Sequence, residues 1–184
     1  MKLRGVAVVV VGVALLGCGD DDDGGGGGDG GDGGGGGADS SIVGPGVPRY
    51  QEMNEVGNGV KAGAEATGFT VDGAGFVLEG QFEVGMATTD QYRFNTGSFG
   101  GATQPDFPGI DAFVYVGSER FGTGQTEVRL TLDAIANDGF STLSLGGFSN
   151  AAVTRGVDYA LGVSTGAARL LGKSYRIEVR GHTP

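Results

Sequence analysis

The sequence predicts an all-β fold, an antiparallel sandwich of jelly-roll type with about eight strands behind a flexible leader. Three observations carry that expectation. Apolar and polar residues alternate over several short runs, the signature of a strand with one dry and one wet face. Clusters of Gly, Pro, Asn and Asp punctuate those runs at short intervals. Helical spacing is nearly absent, with a weak trace only at 60–66.

Taken along the chain, the first strands are expected at 69–71 and 76–84, with Asp72-Gly73 as the turn between them. A third follows at 91–95 and ends at Gly97. The run 110–116 is apolar on both faces around Ala112 to Val116, so it is expected in the centre of a sheet. In 128–134, Val128, Leu130, Leu132 and Ala134 point one way and Arg129, Thr131 and Asp133 the other. Residues 141–145 form a further candidate after Asn137-Asp138-Gly139. Tyr159, Leu161 and Val163 then alternate with small or polar neighbours. The last run sets Tyr175, Ile177 and Val179 against Ser174, Arg176, Glu178 and Arg180, which are expected on a solvated face.

Ahead of these strands lies a segment of different character. Lys2 and Arg4 are basic, and 6–16 is apolar apart from Gly12. A membrane-spanning helix needs ~20 such residues, so this run has the length of a signal peptide's hydrophobic region. Leu15-Leu16-Gly17-Cys18 closes it. That ending resembles the lipobox of bacterial lipoproteins, with Leu three places before the cysteine and a small residue directly before it. The resemblance implies cleavage after residue 17, a diacylglycerol thioether on Cys18 and usually an acyl group on its new amine. Each buried acyl CH₂ contributes about 0.8 kcal/mol and one chain anchors only marginally, so two or three chains make the membrane a lasting partner. Gly19, in place of the Asp that favours inner-membrane retention, leans the expected address toward the outer membrane of a bacterial cell envelope. Cys18 is the only cysteine, so its lipidation removes disulfides, thiol catalysis and Cys-based metal sites together.

Residues 19–37 are Gly and Asp alone. They bury no apolar surface, and lack the apolar residue per unit that Gly-Asp β-helix repeats need, so disorder is expected. With Pro45 and Pro48 the flexible stretch runs on to 48, giving a lipidated cysteine and tether over 18–48 and a sandwich over 49–184. A coil of ~30 residues has an r.m.s. span of about 30 Å. Seven of the 22 acidic residues lie at 20–39 and supply most of the net charge of −10. No basic patch accompanies them, which disfavours nucleic acid as a partner.

Several strand motifs carry a second resemblance. Glu52-Met53-Asn54-Glu55, then Val77-Leu78-Glu79-Gly80-Gln81-Phe82 and Asp90-Gln91-Tyr92-Arg93-Phe94 are similar to the leader and first strands of the bacterial pre-peptidase C-terminal domain. Gly156-Val157-Asp158-Tyr159-Ala160-Leu161-Gly162-Val163 and Tyr175-Arg176-Ile177-Glu178-Val179 are similar to its late strands. Thr88 stands where that family has the first Asp of its D-x-D motif, and Glu55 follows Asn54 where it has Asp. The resemblance implies a non-catalytic β-sandwich. It also implies a calcium site whose matching positions are Glu52, Asn54 and Glu55, since hard cations take several oxygen ligands from such loops.

No residue pattern points to catalysis. His182, the only histidine, lies near the chain terminus, where a solvated imidazole is expected rather than a held one. Glu79 and Glu83 on one strand would stand about 13 Å apart at the usual rise, beyond the ~5–9.5 Å of glycosidase pairs. Asp90, Asp111, Asp133 and Asp158 fall at strand ends, the usual place for solvated carboxylates. The expected protein is therefore not an enzyme but a lipid-anchored envelope protein that displays a binding or structural sandwich to a protein or glycan ligand. The alternative is a carbohydrate-binding module or a calcium-dependent adhesion domain. Sugar platforms need rings, Trp is absent, and Tyr92, Phe94, Phe99, Phe107 and Phe121 are the candidates.

Overall fold

The computed structural model describes residues 41–53, 59–84, 89–97, 109–136 and 142–182. Within them the strands are β1 (Arg49–Gln51), β2 (Glu65–Thr70), β3 (Phe76–Gln81), β4 (Asp90–Asn95), β5 (Ile110–Val116), β6 (Glu119–Phe121), β7 (Val128–Ala134), β8 (Thr142–Leu145), β9 (Gly147–Ala151), β10 (Asp158–Thr165) and β11 (Ser174–Gly181). The first sheet runs β1-β3-β11-β5-β6, with β9 also paired to β5, and the second runs β2-β4-β10-β7-β8. They pack as a sandwich and do not close into a barrel. Only the β5–β6 and β7–β8 links stay within one sheet; every other connection between described strands crosses to the opposite one.

The expected alternation sets which face packs. Val128, Leu130 and Leu132 of β7 and Tyr159, Leu161 and Val163 of β10 join one core with Phe76 and Leu78 of β3 and Ile177 and Val179 of β11. Rings stitch the two sheets: Phe76 lies 5.5 Å from Phe94 and 5.1 Å from Phe69 between centroids. Strand β5 is central, as its two-sided apolar pattern predicts, with β11 on one side and β6 and β9 on the other. Where β8 leaves the second sheet and β9 joins the first, Gly146 holds φ +85°, and a side chain there would run into the Gly122 carbonyl.

Four expectations are corrected. The trace of helical spacing at 60–66 resolves into one 3₁₀ turn, Lys61–Gly63, followed directly by β2. Strand β3 stops at Gln81, so Glu79 and Glu83 do not share a strand. Three short strands, β1, β6 and β9, stand where no alternation marked them. The chain also binds the sandwich before Arg49. Ser41 donates its hydroxyl to Glu178 at 2.9 Å, the Ile42 N–H donates to the same carboxylate at 2.7 Å, and Arg180 donates to the Ile42 carbonyl at 2.8 Å. Residues 41–48 thus form a strap over the outer face of the first sheet, continuing into β1, which pairs parallel to β3. Glu178, expected in solvent, is only 2% exposed beneath it.

Candidate functional site

On the outer face of the first sheet, register places Gln51, Glu79, Arg176, Tyr115 and Arg120 side by side across β1, β3, β11, β5 and β6. One level along, Gln81 stands opposite Ser174. These two levels outline a cleft of about 450 Å³, lined by Gln51, Glu52, Glu79, Gln81, Ser174 and Arg176 above Tyr115. Its floor is closed by arginine rather than left as an open ring. The Arg176 guanidinium lies 4.5 Å over the Tyr115 ring, and Arg120 lies 4.0 Å over Phe113. Both rings therefore point away from the core and are still buried, Tyr115 to 1% exposure.

The charges at this cleft have partners within the protein. Arg49 donates to Glu79 at 2.7 Å, and Arg176 donates through Nε to Glu178 at 3.1 Å. Arg49, Glu79 and Arg176 remain partly exposed within these pairs, and beside them stand the exposed neutral residues Gln51, Gln81 and Ser174. Gln81 donates its amide N–H to the Gly172 carbonyl at 2.9 Å, which turns its oxygen into a fixed acceptor. Arg176 links the cleft to the strap, because Glu178 also receives the Ser41 hydroxyl.

Beneath the cleft lies a buried polar cluster that the sequence did not disclose. The Tyr175 hydroxyl donates to Asp90 at 2.7 Å and shares a 2.6 Å hydrogen bond with the Tyr92 hydroxyl. Gly80 makes room for it: a Cβ there would collide with the Tyr175 hydroxyl and with Glu52. Burial above all pushes the Tyr92 and Tyr175 hydroxyls far above the ordinary tyrosine range. At Tyr175, Tyr92 and then Asp90 add to it; at Tyr92 the hydrogen bond to Tyr175 opposes it, while Glu52 and Asp90 add to it. Tyr50 is raised too, by burial and then by its hydrogen bond to Glu65. Raised tyrosine values give stability that is complete below about pH 10, the unfolded value, and is lost as pH climbs toward the folded values. Absorbance titration near 295 nm should therefore show Tyr92 and Tyr175 ionising only together with alkaline unfolding. Reversible ionisation of all five tyrosines in the folded protein would contradict the buried cluster.

At the opposite end of the first sheet the structure corrects the reading of Asp111 and His182. Asp111 is 4% exposed. It accepts from the Asn150 N–H at 2.9 Å, from His182 Nδ1 at 2.8 Å and from Arg180 at 3.4 Å. His182 is half-buried and donates its backbone N–H to Gly109, so the chain's last described residue is docked rather than frayed. Asp90 is likewise buried, whereas Asp133 and Asp158 are only half-buried.

Of the positions expected to bind calcium, Glu52 is turned toward Gly80 and the tyrosine cluster. Asn54, Glu55 and the lipidation candidate Cys18 lie outside the described residues. Among the described residues no three acidic, His or Cys side chains are grouped to hold a metal ion. The ring candidates for a sugar platform do not reach a surface either: Tyr92, Phe94 and Phe121 are core residues, and Phe99 and Phe107 lie outside the described residues. Comparison with family models, curated proteins and solved structures finds no match. The resemblances stated above therefore rest on the quoted residues alone.

Proposed function

We propose that this chain is a lipid-anchored protein of the bacterial cell envelope that displays the sandwich as a non-catalytic binding module. The observation that carries the binding half is the cleft on the first sheet. Its partly exposed charges are paired as Arg49–Glu79 and Arg176–Glu178, and the uncharged amide and hydroxyl groups of Gln51, Gln81 and Ser174 are exposed beside them. Such a lining suits a ligand held by hydrogen bonds, beside charges that are already paired. The anchoring half is supported by Leu15-Leu16-Gly17-Cys18 behind a short apolar run, and by the Gly and Asp tract that follows.

Replacing the single thiol tests the anchor. Cys18→Ser should move the protein from the membrane to the soluble fraction, or leave it unprocessed, and should abolish labelling by a fatty-acid analogue. Wild-type membrane partitioning by this variant would rule out lipid anchoring. The sandwich itself should melt unchanged, because the substitution lies outside it.

A further inference from the structure

We infer that the cleft on the first sheet binds a neutral, hydroxyl-rich ligand, a glycan segment of one or two sugar units. This rests on the cleft being the binding site of the module and adds its ligand class. The first argument is charge. A phosphate or uronate seated at Gln51, Gln81 and Ser174 would meet the partly exposed Glu79, and a polyamine would meet the partly exposed Arg49 and Arg176, whose partners are Glu79 and the covered Glu178. Each pair is already closed, so an ion of either sign breaks one favourable contact to gain another. A neutral ligand disturbs neither.

The second argument is the kind and spacing of the open groups. The Gln81 oxygen is a fixed acceptor, the Gln51 amide donates one N–H to the Glu79 carbonyl at 3.5 Å and keeps its oxygen as a second acceptor, and the exposed Ser174 hydroxyl both donates and accepts. Sugar hydroxyls need this mixture, because each one gives and takes a hydrogen bond. Neighbouring strands lie about 4.8 Å apart, close to the length of a pyranose unit, so a glycan lying across β3 and β11 meets one polar side chain per strand. A peptide adding as a strand is the less favoured occupant. The groups that line the cleft lie on the sheet's face, where the backbone of β3 and β11 is already spent on ladder bonds. Among the described residues lining the cleft no ring is open for stacking, since Arg176 covers Tyr115, so single-site affinity should be weak and gain from many anchored copies side by side.

The test uses the full-length protein and follows backbone amide shifts at 79–81 and 174–176 during titration. The probes are neutral glucose, galactose and N-acetylglucosamine oligomers, a uronic-acid oligomer, and an uncharged peptide. Neutral oligomers should give saturable shifts in the millimolar range. Ser174→Trp, which fills the cleft from an exposed position, should weaken them about tenfold or more, and Gln81→Ala about threefold to tenfold. Unchanged dispersion elsewhere in each variant's spectrum checks that the fold persists. Saturation at the cleft only by the uronic acid or the peptide would overturn the neutral-glycan assignment and leave a binding cleft. Shifts that Ser174→Trp does not weaken, or no shift with any probe, would overturn the cleft as the binding site as well.

Discussion

Leu130→Ala should destabilise the sandwich by about 2–5 kcal/mol, a large part of what a domain of this size has. Leu130 is 0% exposed on β7, opposite Val163 of β10, and belongs to the shared core. Shortening it removes buried methyl groups and leaves a cavity between two sheets whose strands are fixed by their ladders. The neighbouring Thr131→Ala should change stability by no more than about 0.5 kcal/mol. Thr131 points to the other side, where its hydroxyl fills the space over Gly162. Urea denaturation of both variants measures the contrast. Equal losses would mean that β7 is packed on both faces, and a larger loss at Thr131 would mean that the sheet's faces are reversed.

Glu178→Ala should cost about 2–3 kcal/mol and release the strap. The carboxylate collects the Ser41 hydroxyl, the Ile42 N–H and the Arg176 guanidinium, at 2.9, 2.7 and 3.1 Å. Removing it leaves those donors over a covered surface without their acceptor. Hydrogen exchange should show the Ile42 amide losing protection, while amides in β7 keep theirs. Glu178→Gln, which retains one acceptor oxygen and the side-chain shape, should lose about half as much. If Glu178→Ala behaved like an exposed substitution and Ile42 stayed protected, the strap would be held by something other than this carboxylate.

Strands with a long two-residue period were legible in the sequence. β5 and β7 match their expected bounds because an uninterrupted pattern and flanking turns fix both ends. β1, β6 and β9 were not, since Arg49–Gln51 and Glu119–Phe121 are too short to show a period and Gly147–Ala151 has no alternation. The polar half of the site was hidden for a different reason. Alternation marks Glu178 as pointing away from the core, but the strap that covers it comes from 136 residues earlier in the chain. His182 looked free for the same reason, its partner Asp111 being 71 residues away. The cleft needs β1, β3 and β11 to be neighbours, which a list of strands does not disclose. Gly80 gave a trace: a glycine within an apolar strand marks a close approach, here of Tyr175 and Glu52.

The strap also decides how the sandwich carries mechanical load. A pull on the chain at Ser41 passes through the bonds of Ser41 and Ile42 into Glu178, and so into β11. That strand lies between β3 and β5 and is laddered along most of its length on both sides. The edge strand β1, with three paired residues, is bypassed while the strap holds. Tension is thereby spread over the middle of the first sheet instead of peeling it from its rim.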